Sequence, residues 1–197
     1  MFCFHYASGE RKAAKRAEQI LNNMIASFEE HGDVDNKPNV HTANAVCNAC
    51  AFTKFEEDRP EALQIAFRVF DWLDHQTDME PDAYTYTILL SVCANLLPRE
   101  DVDSRYANAK AFFDKCAKAG YVNDYVLRKL RQTVTEQEYL NLVGPRVATG
   151  SIANLPPSWT KKIRKKENTR RSGSTHGGRG RGGRYSSQHS RRSSGYR

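Results

Sequence analysis

Lys37-Pro-Asn-Val-His-Thr-Ala-Asn44 and Glu80-Pro-Asp-Ala-Tyr-Thr-Tyr-Thr87 are two copies of one phrase. In each, a proline and an Asn or Asp close a turn, and a helix-compatible run starts directly behind them. Pro38 to Pro81 is a step of 43 residues. Asn39, Asp82 and Asp124 continue the series with steps of 43 and 42, with Asn123 where the third copy would carry its proline. A period of this size marks a repeated supersecondary unit.

Working outward, each turn is flanked by helical patterns. Upstream, Ala14, Ala17, Ile20, Leu21, Met24, Ile25 and Phe28 recur at steps of three and four, so the spacing predicts a helix from about Ser8 to Glu30, broken by His31-Gly32-Asp33. A helix follows from Val40 to about Phe52, then a polar loop at Lys54–Pro60. The next helix, near Glu61–Gln76, carries the stripe Ala62, Ile65, Ala66, Val69, Phe70 and Leu73. The second copy predicts helices at Tyr84–Leu97 and Arg105–Ala119 around a loop at Pro98–Ser104, with Gly120 as C-cap. Val126–Val134 opens a third copy, and Thr135 to Glu138 reads as a capping box for a short last helix. No strand alternation competes with this pattern. The expected fold is all-α: a helical-hairpin repeat solenoid, in which each hairpin buries its apolar face on its neighbours, followed by a disordered C-terminal tail. The expected division is repeats over 1–142, a linker packing on the last helices over 143–160, and a tail over 161–197.

Charge divides the chain at about the same place. Residues 158–197 hold 13 Lys+Arg and a single acid, Glu167, a net of +12. Residues 1–157 hold 17 basic and 22 acidic residues, a net of −5. The tail attracts polyanions, and nucleic acid is the commonest; the body has no such attraction in its net charge.

The repeated phrases resemble the Pro-Asp-x-x-Thr-Tyr-Asn junction of the pentatricopeptide repeat family. Ala14–Met24, Ala62–Trp72 and Ala107–Lys115 resemble its second helix, and the likeness spans about residues 6–130. These repeats are longer than the family's, which are close to the roughly 34 residues of tetratricopeptide repeats. The loops at Lys54–Pro60 and Pro98–Ser104 hold the excess, and the first repeat lacks most of its first helix. The resemblance implies a non-catalytic single-stranded RNA-binding protein acting in RNA processing, stability or translation. It implies one base read per repeat by paired polar residues. Carried over, the pairs are Asn44 with Asp82, uracil-preferring, and Thr87 with Asp124, guanine-preferring. Asn39 is the remaining half of a first pair. The resemblance also implies a mitochondrion or plastid; the tail leaves cytoplasm or nucleus open. The alternative class is a protein–protein scaffold of tetratricopeptide type, which the acidic body suits.

The tail supplies an Arg/Gly box, Gly177 to Tyr185, in which Arg179, Arg181 and Arg184 are expected on phosphates and bases and Tyr185 adds a stacking ring. With so little to bury, Thr169 onward is expected to stay disordered. Trp159 is expected to pack back on the last helices. Five cysteines, an odd number with no secretory signal before them, point to a reducing compartment. The N-terminal Met-Phe-Cys-Phe-His-Tyr is too short and too weakly basic for a signal or transit peptide. Cys47-Asn-Ala-Cys50 has metal or redox spacing but lies inside a helix with no second pair, so it reads as small residues at a helix contact. The six histidines are scattered, no nucleophile–base pairing or phosphate loop is apparent, and no cofactor, metal or membrane span is called for.

Overall fold

The computed structural model describes residues 10–144 and 154–163, and these are all-helical in their regular structure. Seven α-helices follow in order: α1 (Ala13–His31), α2 (Val40–Ala51), α3 (Arg59–Asp74), α4 (Ala83–Leu96), α5 (Val102–Ala119), α6 (Asp124–Thr133) and α7 (Glu136–Val143). Their ends are set by local chemistry. Asn39 caps α2 and Asp82 caps α4, each in a reciprocal box with the Thr three residues on, Thr42 and Thr85. Asn123 caps α6, and Thr135 with Glu138 forms the expected box on α7. Gly32 and Gly120 close α1 and α5 in the left-handed region, at φ +64° and +86°.

The first helix starts at Ala13 rather than about Ser8, with Glu10–Lys12 non-helical, and two further differences from the sequence expectation concern boundaries. The fifth helix starts at Val102, a turn before the expected Arg105, because the Asp101 carboxylate accepts from the Ser104 backbone N–H at 3.1 Å. The second is the register of the third copy. Asn123, not Asp124, is the N-cap of α6, so the caps step by 43 and then 41 residues. The residue before each cap is buried: Pro38, Pro81 and Val122. The helix begins one residue after a cap that directly follows this buried apolar position, whether the cap is Asn or Asp.

Cross-helix hydrogen bonds give the directions. Asn44, near the start of α2, donates to Asp82 at the start of α4, and Asn95, near the end of α4, donates to the Ala51 carbonyl ending α2, at 2.8 Å. The two helices therefore run parallel. Tyr121 reaches Glu80 just ahead of α6 and α4, and Thr133 at the end of α6 donates to the Leu90 carbonyl, so α6 runs parallel to α4. The second helices match: the Lys12 N–H donates to Asp58 at 2.8 Å, Lys15 pairs with Glu61, and Arg68 donates to Glu18, which aligns α1 with α3. Phe112 packs on Phe67 and Phe70 at 5.6 and 5.3 Å, aligning α5 with α3. Hairpins α2/α3 and α4/α5 thus lie side by side, with α1 ahead of them and α6/α7 behind.

Two apolar clusters meet on α4, nine of whose fourteen residues are buried. One joins α1, α2 and α3 to Ile88, Val92 and Leu96. The other joins Tyr86, Leu89, Leu90 and Cys93 to α5, α6 and α7. Leu155 and Trp159 close the second, with the Trp159 ring edge-on to Phe113 of α5 at 5.4 Å. The docked segment continues past 160. The Lys162 N–H donates to the Gly120 carbonyl at 3.1 Å, and a Cβ on Gly120 would lie 2.5 Å from Lys161 Cγ. Residues 161–163 belong to the docked stretch.

Candidate nucleic-acid interface

Parallel α2, α4 and α6 bring their N-terminal ends to one edge of the molecule. Asn39 there accepts from the Thr42 N–H at 3.1 Å. Asp82 Oδ1 accepts from the Thr85 N–H at 2.9 Å, from the Thr85 hydroxyl at 3.0 Å and from Asn44 Nδ2 at 3.4 Å. Asn44 and Asp82 are therefore brought together, as the pairing requires, but Asn44 is buried. Its side chain is 2% exposed, and its Oδ1 is buried without a protein partner. Five residues beyond the cap, the side chain points at the neighbouring hairpin, and α4 covers it. Thr87, at the same position of α4, is half-buried and donates back to the Ala83 carbonyl at 2.8 Å. Its expected partner Asp124 is the exposed first residue of α6 and not the cap, so in register Thr87 belongs with Asn123. Arg179, Arg181, Arg184 and Tyr185 lie outside the described residues.

The same register exposes residues that the sequence reading missed. Two positions past the caps Asn39, Asp82 and Asn123 stand His41, Tyr84 and Tyr125. All three are exposed, Tyr84 by 56% and Tyr125 by 63%, which is unusual for large aromatic side chains. The Arg128 guanidinium sits over Tyr125 at 5.0 Å. Tyr84 and Tyr125 thus stand exposed at the same register position of successive parallel helices. The signal was available in the sequence: His41 and Tyr84 occupy the same place in the two quoted phrases.

Beside this edge, Glu80 receives the Tyr121 hydroxyl at 2.8 Å and pairs with Lys162, whose ammonium also lies 4.9 Å over the Tyr121 ring. The Lys162 ammonium, then the Tyr121 hydroxyl, hold the Glu80 carboxyl below its ordinary 4.5. Burial, then the bond to Glu80, push the Tyr121 hydroxyl up.

The opposite edge, where α2 and α4 end, holds an open cleft of about 1150 Å³. Phe52, Arg59, Asn95 and Arg99 are among its walls, so the α2–α3 and α4–α5 loops help to build it. The four described cysteines are reduced and buried, two in each apolar cluster. Burial pushes the thiols of Cys47, Cys93 and Cys116 up to about 12. Among the described residues no group of three or more His, Cys, Asp or Glu side chains is arranged to hold a metal ion, and no helix is long and apolar enough to cross a membrane. No protein-family model, curated protein or solved structure matches the chain.

Proposed function

We propose that this chain is a short helical-hairpin solenoid of pentatricopeptide-like type that binds single-stranded RNA without catalysing a reaction on it. The edge made by the N-terminal ends of α2, α4 and α6 takes the bases, and the basic C-terminal stretch takes the phosphates. The observation that carries the reading is the row of exposed rings His41, Tyr84 and Tyr125 at one register position of three parallel helices. A single strand has unpaired bases free to stack on such rings, whereas a duplex does not. Stacking tolerates any base, and Asn44 is covered, so sequence preference is weak in this reading. Affinity comes from the rings together with the net +12 of residues 158–197.

The test is direct titration of the full chain with single-stranded and duplex RNA of the same sequence at fixed salt. The single strand is expected to bind more tightly. Tyr84→Ala and Tyr125→Ala are each expected to cost about 1–3 kcal/mol of that affinity, the usual worth of one stacked base. Asn44→Ala is expected to leave base preference unchanged. Equal binding of both RNA forms, with ring variants indistinguishable from wild type, overturns the reading. The cleft between the lengthened loops favours a second reading, a protein scaffold, in which Phe52 and Arg59 hold a peptide and the ring row is a bystander.

A further inference from the structure

The RNA reading leaves one built feature unused. Residues 154–163 follow the last hairpin and are docked by three kinds of contact. Leu155 and Thr160 are 3% and 0% exposed, and Trp159 lies edge-on to Phe113. The Val122 N–H donates to the Trp159 carbonyl at 2.9 Å, and the Lys162 N–H donates to the Gly120 carbonyl at 3.1 Å. The Lys162 ammonium then reaches Glu80. The polar attachments converge on the turns before α4 and α6. Glu80 is two residues ahead of the cap Asp82, and Val122 is the residue ahead of the cap Asn123.

The chain therefore leaves the docked segment at the edge that carries Tyr84 and Tyr125, and not at the edge that carries the cleft. Arg164, Lys165, Lys166, Arg170 and Arg171 follow at once in sequence. A stretch placed only to solubilise the protein needs no particular root, and a half-buried Trp whose backbone makes two hydrogen bonds is more than a linker requires.

The geometry points to residues 154–163 as an anchor that roots the basic stretch beside the ring row, so that rings and cations grip one and the same RNA strand. This rests on the RNA reading above and adds to it where the phosphate-binding cations begin. Rooting acts through effective concentration. With the anchor docked, the tether from Lys162 to the first cations is a few residues. With it undocked, the chain from the end of α7 becomes a free tether of roughly twenty residues, and effective concentration falls as about the −3/2 power of tether length, roughly tenfold. The number of cations on phosphates does not change, so the salt slope is the same.

The test uses the full chain and a labelled single-stranded RNA of mixed sequence, about a dozen nucleotides long, within the 4–16 range of such sites. Two variants break the rooting differently. Trp159→Ala removes the ring from Phe113 and frees the anchor. A flexible Gly/Ser insertion of roughly twenty residues between Ile163 and Arg164 leaves the anchor docked and lengthens the tether, and it decides the matter if Trp159→Ala does not fold. Each is expected to bind roughly tenfold more weakly with an unchanged salt slope, while Tyr84→Ala keeps its own separate effect. If wild type binds and Tyr84→Ala weakens it, but the insertion binds like wild type, the anchor is overturned and the RNA reading stands. If wild type does not bind the RNA, both fall.

Discussion

The two apolar clusters that meet on α4 are built from different materials. Around α1, α2 and α3 the buried residues are mostly small: Ala14, Ala17, Ala43, Cys47, Cys50, Ala62 and Ala66. Around α5 and α6 they include Phe70, Tyr86, Phe112, Phe113 and Tyr139, with Trp159 against them. Small side chains let helix backbones approach closely, and the contact then tolerates little added volume. Aromatic side chains hold helices apart and fill the gap with rings, as in the edge-on pair Phe70 and Phe112 at 5.3 Å. That second arrangement leaves a ring-lined end on α5, and Trp159 finishes it. Residues 154–163 find a seat against α5 because the core there is aromatic.

The comparison breaks first where a ring is removed. Phe113 is 1% exposed and holds both the α5 core and Trp159, so Phe113→Ala is expected to cost about 4 kcal/mol by denaturant titration, within the usual range for a buried Phe. It is also expected to shift the Trp159 fluorescence toward that of a solvated indole. A loss under about 1 kcal/mol would mean that the rings do not hold the α5 half together.

The converse change tests the small-residue half. Ala66 is fully buried on α3, and its carbonyl lies 3.8 Å from Cys47 Sγ. Ala66→Leu is expected to destabilise by about 2 kcal/mol through overpacking, even though it adds apolar surface. A stabilised variant would show unfilled space between α2 and α3 and refute the close-contact account.

A separate effect is expected from pH. Burial raises Cys47 and Cys93, one in each cluster, from 9.0 to about 12. Above pH 9 the unfolded chain releases these protons while the folded chain keeps them, so stability is full below 9 and declines as pH rises toward 12. A stability–pH curve flat from 8 to 10.5 would contradict that burial. Alkylation sharpens the comparison, since α4 belongs to both clusters. Cys47 and Cys93 are expected to label at one rate, set by opening of the whole. Faster labelling of Cys47 would mean that the small-residue half opens alone.

Much of this architecture was legible in one dimension. Helix periodicity, the Pro–Asn and Pro–Asp phrases, Gly120 and the Thr135–Glu138 box each depend on residues a few positions apart, and each is found at or near its expected place. The site was less legible. Asn44 reads as an available polar residue because its sequence neighbours are compatible with an open face; α4, some forty residues downstream, covers it. Asp124 reads as the third member of the series Asn39, Asp82, Asp124 because spacing counts residues, whereas the helix begins where Val122 is buried and Asn123 caps.

The sequence by itself determined that the chain forms helices, where most of them stop, and that its charge is split between an acidic body and a basic end. These are local or compositional properties, set by backbone hydrogen bonding, capping and net charge. Tertiary structure alone decided that α2, α4 and α6 run parallel and share an edge, and that Asn44 is sealed while Tyr84 and Tyr125 are not. It also decided that Lys162 meets Glu80 across 82 residues of chain. The physical reason is the same in each case. Exposure and contact depend on which surface packs against which, and that is fixed by the summed burial of both clusters, which no single segment contains.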